Sequence, residues 1–257
     1  MLTQKFKHSG TLGDIVYALA VMKYLGGGEF YLHMNNINNI GMKYYGRMPA
    51  PFHQGRMNDQ DFEFMRSFFE FQSYITKFSR YNDSVELSHD LDDFRPAFVH
   101  HPGNYIDIYC KAFGITDPDV QKQIRTNPWL TVPESKTFPG KQYIINRTAR
   151  WIPGEHNTSW DRLAENEVAD QAVFVGLPEE HAEFESKLNW KIDYHPVKDM
   201  LELASVIAGA KMFIGNQSVA LSIAIGLGIA YGCEARRDLP DSRNECYFPD
   251  QPNSLYF

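Results

Sequence analysis

The stretch from Leu2 to Met34 limits the fold more than any other. "LTQKFKH" alternates apolar and polar residues as a short strand does, and "HSGTLGDIVYALAVMKYLGG" follows, with two glycines and a lone carboxylate, Asp14, at its front. From Ile15 to Leu25 the only charged side chain is Lys23, so a helix there is apolar on nearly every face and must lie buried against a sheet. "EFYLHM" then returns as a strand. Strand, glycine-containing loop, helix and strand make a βαβ unit, so a parallel sheet is expected. At such a helix start an aspartate suits the N-cap and the helix dipole.

At 257 residues the chain is near the length at which one core gives way to two, and two lobes are expected. The stretch Thr116–Gly140 carries Pro118, Pro128, Pro133 and Pro139 and reads as the connection, dividing the chain into residues 1–125 and 126–257. In the first lobe "DQDFEFMRSFFEFQ" predicts an aromatic helix whose stripe is core. "YITKFS" and "SVELSH" read as strands, and "NYIDIYCKAFGI" as a helix closed by Gly114. The second lobe alternates: strand "KQYIINRT", helix "NTSWDRLAENEVA", strand "QAVFVGLP", helix "EEHAEFESKL", helix "DMLELASVIAGA", strand "KMFIGN", helix "QSVALSIAIGLG" and a last strand "IAYGCE". That is the pattern of a doubly wound sheet, which takes ligands at the carboxyl ends of its strands.

A net charge of -7 gives no general attraction to phosphate backbones. The three cysteines are widely spaced and read as free thiols. "MLTQKFKHSG" lacks the apolar core of a secretory signal, and the nearly uncharged run Met212–Cys233 reads as strand, helix and strand, so a cytoplasmic protein with no membrane span is expected.

Three segments carry candidate chemistry. In "FIGNQSVALSIAIGLG" a strand ends at Ile214, Gly215 and Asn216 turn, and Ser218 can cap a helix whose first N–H groups suit a phosphate. That points to Asn216, Gln217, Ser218 and Val219. In "NRTARW", Arg147 and Arg150 follow the second lobe's first strand, where guanidinium forks can pair with a diphosphate. In "FVGLPEEH", Gly176 ends a strand ahead of Glu179 and Glu180, which suit helix capping or a ribose hydroxyl. His100, His101, His8 and Asp107 lack metal-ligand spacing, and no P-loop, GxSxG or HExxH motif occurs.

These residues resemble a family. "SGTLGDIVYALAVMKYL" is similar to the "GDxxxxLPALRxL" opening of the ADP-heptose lipopolysaccharide heptosyltransferases. "NRTARW…TSWDRLAE", "VFVGLPEEHAEFE" and "MLELASVIAGAKMFIGNQSVALSIAIGLG" resemble their second half, ending in "GNDSGxxHLAxALG". The likeness covers about half the chain, Met1–Phe30 and Lys141–Glu234. It implies an α/β, GT-B-like fold: two Rossmann-like lobes with parallel sheets facing a cleft, acceptor on the first and nucleotide-diphosphate sugar on the second, with no metal or other cofactor. It implies that Asp14 is the general base of an inverting glycosyl transfer, and that Gly10, Thr11 and Gly13 let the first loop approach the donor. Arg147, Arg150 and the N–H groups of Gln217, Ser218 and Val219 would then stabilise the leaving diphosphate. Gln217 stands where the family has an acidic residue, Val219 where it has glycine and Ser222 where it has histidine, so a heptose donor is not implied.

Two other readings use the same scaffold: a sugar-nucleotide epimerase or hydrolase, and a non-catalytic binder of sugar nucleotides or glycans. The acceptor is expected to be a glycan hydroxyl. A modified DNA base contacted by Lys43, Arg47 and Arg56 is the weaker expectation, given the acidic total.

Overall fold

The computed structural model describes residues 3–34, 57–100, 103–149, 159–165, 168–235, 248, 251 and 253–257. The chain divides into two compact units, Met1–Trp129 with Arg243–Asp250, and Leu130–Ser242 with Gln251–Phe257.

In the first unit, strands β1 (Lys5–His8), β2 (Gly28–Leu32), β3 (Ile75–Arg80) and β4 (His89–Asp90) form a wholly parallel sheet in the order β3-β2-β1-β4. Helix α1 (Leu12–Tyr24) joins β1 to β2 and buries every residue from Ile15 to Met22, as its apolar run requires. It ends at "GGG": the glycines at 26, 27 and 28 all have positive φ, and a side chain at Gly27 would strike the Tyr74 carbonyl. Helix α2 (Asp59–Phe71), capped by Asn58, buries Phe62, Met65, Phe68 and Phe69, and Phe30, Phe62 and Phe69 pack on Phe78. After a 3₁₀ turn at Leu91–Asp93 come α3 (Phe94–His100), α4 (Tyr105–Ala112) and α5 (Pro118–Thr126).

The second unit is a six-stranded parallel sheet in the order β10-β9-β8-β5-β6-β7, built from β5 (Tyr143–Asn146), β6 (Ala172–Val175), β7 (Asp193–His195), β8 (Met212–Asn216), β9 (Tyr231–Glu234) and β10 (Ser254–Tyr256). Helices α6 (Ser159–Glu165), α7 (Pro178–Leu188), α8 (Met200–Ala208) and α9 (Val219–Leu227) complete it. One part of its core gathers Ile145, Trp160, Phe174, Phe184, Trp190 and Ile214. Trp160 meets Phe184, Trp190 and Phe257 edge-on.

Several expectations change. "SVELSH" is not a strand until His89: Asn82 accepts from the Ser84 N–H and starts a turn, and Val85 and Leu87 are only half-buried. The proline-rich stretch taken as a connection contains α5, whose signal is Asp117, which accepts from the N–H groups of Asp119 and Val120, followed by Pro118 at the first helical position. "IAYGCE" is not the last strand, since β10 pairs beyond it. Asp14 is not a cap: Thr11 occupies the N-cap, and Asp14 sits in the first turn of α1.

Candidate functional site

Both sheets reverse their strand order beside the first strand of the unit. In the first sheet the chain proceeds from β1 to β2 and β3 on one side, then returns with β4 on the other. In the second it runs from β5 to β6 and β7, then returns with β8, β9 and β10. The carboxyl ends of β1 and β4, and of β5 and β8, are therefore the points at which α/β sheets open a ligand crevice.

At the end of β1, Gly10 donates its N–H to His8 Nδ1 at 2.8 Å, and His8 Nε2 lies 2.6 Å from the Tyr109 hydroxyl. The Tyr109 hydroxyl in turn donates to the Asp14 carbonyl at 3.1 Å. Beside this, Asp92 accepts from the Ser9 N–H and hydroxyl and from Arg95, with the Lys7 ammonium 3.4 Å away; Lys7 also pairs with Asp90 at 2.8 Å. Burial pushes the Asp92 carboxyl up. The His8 ring, Arg95, the Ser9 hydroxyl and Lys7 outweigh it and hold the group well below the ordinary carboxylate range. Burial lowers the pKa of His8, which is fully enclosed, and only part of that is returned by Asp92, Asp14 and Asp90.

Gly10 is a glycine because the turn is crowded: a Cβ there would lie 2.5 Å from the His8 ring, 2.8 Å from Arg95 Nη2 and 3.1 Å from Asp14 Oδ2. Gly13 has nothing within 4 Å of the same position. Thr11 and Asp14 are half-buried, and no hydrogen bond or ion pair engages the Asp14 carboxylate among the described residues. Sequence reasoning named Gly10, Thr11, Gly13 and Asp14. It missed Lys7, Ser9, Asp92, Arg95 and Tyr109, which hold the turn from beneath and lie up to about a hundred residues away.

In the second unit, side chains lace the carboxyl edge together. Asn146 donates to the Val175 carbonyl at 2.8 Å, joining β5 to β6. Asn216 is fully buried and clasps Thr148 through both backbone groups, accepting from its N–H at 3.0 Å and donating to its carbonyl at 2.7 Å. Gly176, with φ of 145°, leaves β6 where a Cβ would meet Glu180 and Asn146. Glu180 accepts from the Leu177 N–H at 3.0 Å and so caps α7. Helix α9 begins beside Asn216. Ser218 accepts the Leu221 N–H on its hydroxyl and the Ser222 N–H on its carbonyl, which leaves the amides of Val219 and Ala220 with no acceptor inside the helix. Gln217, Ser218 and Val219 are half-buried.

Arg147, expected beside a diphosphate, is engaged at the sheet edge. It is buried and makes a two-pronged pair with the fully buried Glu234 at the end of β9, at 2.6 and 2.9 Å, with its guanidinium 5.7 Å from the Trp160 ring centre. This pair joins the end of β5 to β9. Glu234, 87 positions away in sequence, had no local signal. Arg150 and the basic residues Lys43, Arg47 and Arg56 lie outside the described residues. Of the histidines weighed for metal, His8 is committed to Gly10 and Tyr109, and Asp107 accepts from Asn104 and Arg125. The side chain of His100 and all of His101 lie outside the described residues. Among the described residues no three His, Cys, Asp or Glu are grouped to hold a metal ion, and no helix is long and apolar enough to cross a membrane.

No family model matches the chain, and no curated protein matches it in sequence. Among solved structures, a glycosyl transferase family 9 protein from Veillonella parvula superposes on 100% of this chain and 88% of its own, with a TM-score of 0.63 at 9% identity. TibC from enterotoxigenic E. coli, described as a bacterial iron-containing dodecameric glycosyltransferase, covers 98% of this chain and 63% of its own, with a TM-score of 0.52 at 14% identity. TibC in complex with ADP-D-beta-D-heptose aligns over 98% of this chain and 62% of its own, with a TM-score of 0.50 at 14% identity. The fold is therefore that of the GT-B glycosyltransferase structures: α/β, with two parallel sheets and their helices.

Two measurements check the site's construction. Glu234→Ala strands a buried guanidinium and lowers stability by about 3–5 kcal/mol in urea denaturation, and adding Arg147→Met recovers most of the loss. For His8, the unfolded chain takes up a proton near the ordinary value of 6.5 and the folded chain only at lower pH. The unfolded state therefore binds more protons below 6.5, and stability falls as pH drops through that window. Urea midpoints followed from about pH 7.5 to about pH 5 fall less steeply in His8→Gln than in the parent chain.

Proposed function

We propose that the chain is a glycosyltransferase that moves a sugar from a nucleotide-diphosphate donor to an acceptor hydroxyl, with inversion and without dependence on a metal. The observation that carries this reading is the Asp14 carboxylate. It is half-buried at a strand-order reversal, with no hydrogen bond or ion pair among the described residues, on a turn that buried polar side chains hold in place. The likeness in fold to glycosyltransferase structures supports it.

In this reading the acceptor oxygen attacks the anomeric carbon and passes its proton to Asp14 as the new C–O bond forms. The bond from that carbon to the diphosphate oxygen breaks on the opposite face, and the nucleoside diphosphate leaves with the electron pair. The developing charge falls to the amides that lead into α9, those of Gln217, Ser218 and Val219, with that of Ala220, and to the partial charge of that helix end. Asn216 and Gly176 shape the edge on which the donor lies. Arg147 acts by fixing β5 to β9. Gly13 has nothing within 4 Å of where a side chain would start, so the turn beside Asp14 is open.

A panel of nucleoside diphosphates and sugar nucleotides, with and without a chelator, tests the donor. A bound ligand at about a hundred times its Kd stabilises the fold by about 2.7 kcal/mol, read as a raised Tm. Asp14→Asn is expected to keep that shift and lose about 10²–10⁴-fold in turnover. A non-catalytic binder would keep the shift and show no activity to lose, and no shift with any compound contradicts the donor assignment.

A further inference from the structure

The hydrogen bonds around His8 have a fixed direction. A backbone N–H only donates, so Gly10 makes His8 Nδ1 an acceptor at 2.8 Å. The proton of a neutral ring must then sit on Nε2, which donates to the Tyr109 oxygen 2.6 Å away. The tyrosine hydroxyl proton goes on to the Asp14 carbonyl at 3.1 Å. The relay starts at the residue that leaves β1 and ends in the first turn of α1, with α4 supplying the strut. His8 and Tyr109 are both fully buried, and Phe94 stacks on both rings.

We propose that His8 and Tyr109 are positioning residues: a one-way hydrogen-bond relay that fixes Gly10 relative to Asp14, intact only while His8 is neutral, so that acid frees Gly10 from it. The value of this relay to the reaction rests on the role proposed for Asp14.

Protonation at Nδ1 would set a second donor against the Gly10 N–H and break the first link. The acceptor toward which it would turn is Asp92 Oδ1, 3.8 Å away. The groups that bear on the ring come from each neighbouring element: Asp90 of β4 and Asp92 of the 3₁₀ turn, Arg95 of α3, Asp14 of α1, and Tyr109 of α4. Lys7 adjoins it on β1, and His33, beyond β2, donates its backbone N–H to the His8 carbonyl. The three carboxylates favour the protonated ring, while Arg95 and above all burial oppose it, so the relay holds through neutral pH and fails on the acid side of 6.5.

The test uses the full chain and needs no substrate. Nitrogen NMR of the histidine rings identifies the tautomer of His8, and amide exchange reports the Gly10 N–H, both followed from about pH 7.5 to about pH 5. The expected result is an Nε2–H ring at neutral pH, with Gly10 protection lost in step with His8 protonation. Tyr109→Phe should raise Gly10 exchange about fivefold at neutral pH, as the loss of one hydrogen bond allows. Where turnover is measured, it should lower kcat with the donor Kd unchanged. An Nδ1–H ring, or Gly10 exchange unchanged in Tyr109→Phe, overturns the relay. Failure of the role given to Asp14 shows separately, in the turnover of Asp14→Asn, because neither relay readout depends on substrate.

Discussion

Where a parallel sheet reverses its strand order, the segments leaving neighbouring strands diverge, and backbone groups at the strand ends lose the ladder that satisfied them. Buried polar groups must find partners, and here side chains supply them. Asn216 takes both backbone groups of Thr148, and Asn146 takes the Val175 carbonyl. In the first unit His8 takes the Gly10 N–H and Asp92 takes that of Ser9. Both reversal points are built on this constraint. It also explains why residues that look in sequence like ligand-binding groups are partly structural.

Rigidity at these edges follows from the same bonds. The turn after β1 is gripped at Ser9 by Asp92, at Gly10 by His8 and at Asp14 by Tyr109, so the backbone bearing the carboxylate has little freedom. Lys7 and Arg95 in turn neutralise Asp92. Among the described residues no hydrogen bond or ion pair engages the Asp14 carboxylate, and in the proposed reading a backbone held this firmly organises it before any substrate arrives, which is the condition for positioning to help a reaction.

Much of this was legible in the chain. The apolar stretches Ile15–Leu25 and Gln217–Gly228 predict helices buried against parallel sheets, and the structure encloses Ile15–Met22 of the first and Ala220–Gly226 of the second. Gly176 is legible from its place at a strand end and Gly10 from the family resemblance, and steric crowding requires each. The short strands β4, β7 and β10, two or three residues each, carry too few positions for alternation to register. The α5 helix was missed because its prolines were read as a linker, although Asp117-Pro118 is a helix start. The pairs Arg147–Glu234 and His8–Tyr109 join positions 87 and 101 residues apart, and nothing in a single sequence marks such partners.

Besides Asp14, the proposed function needs the amides that open α9 to seat an anionic diphosphate. Backbone amide NMR during titration with ADP reads this residue by residue. The account predicts that the largest shifts fall on Gln217, Ser218, Val219 and Ala220, with smaller ones at Gly176, and that Glu234 stays still. Shifts absent from the start of α9, or centred on a different edge of the sheet, would contradict it.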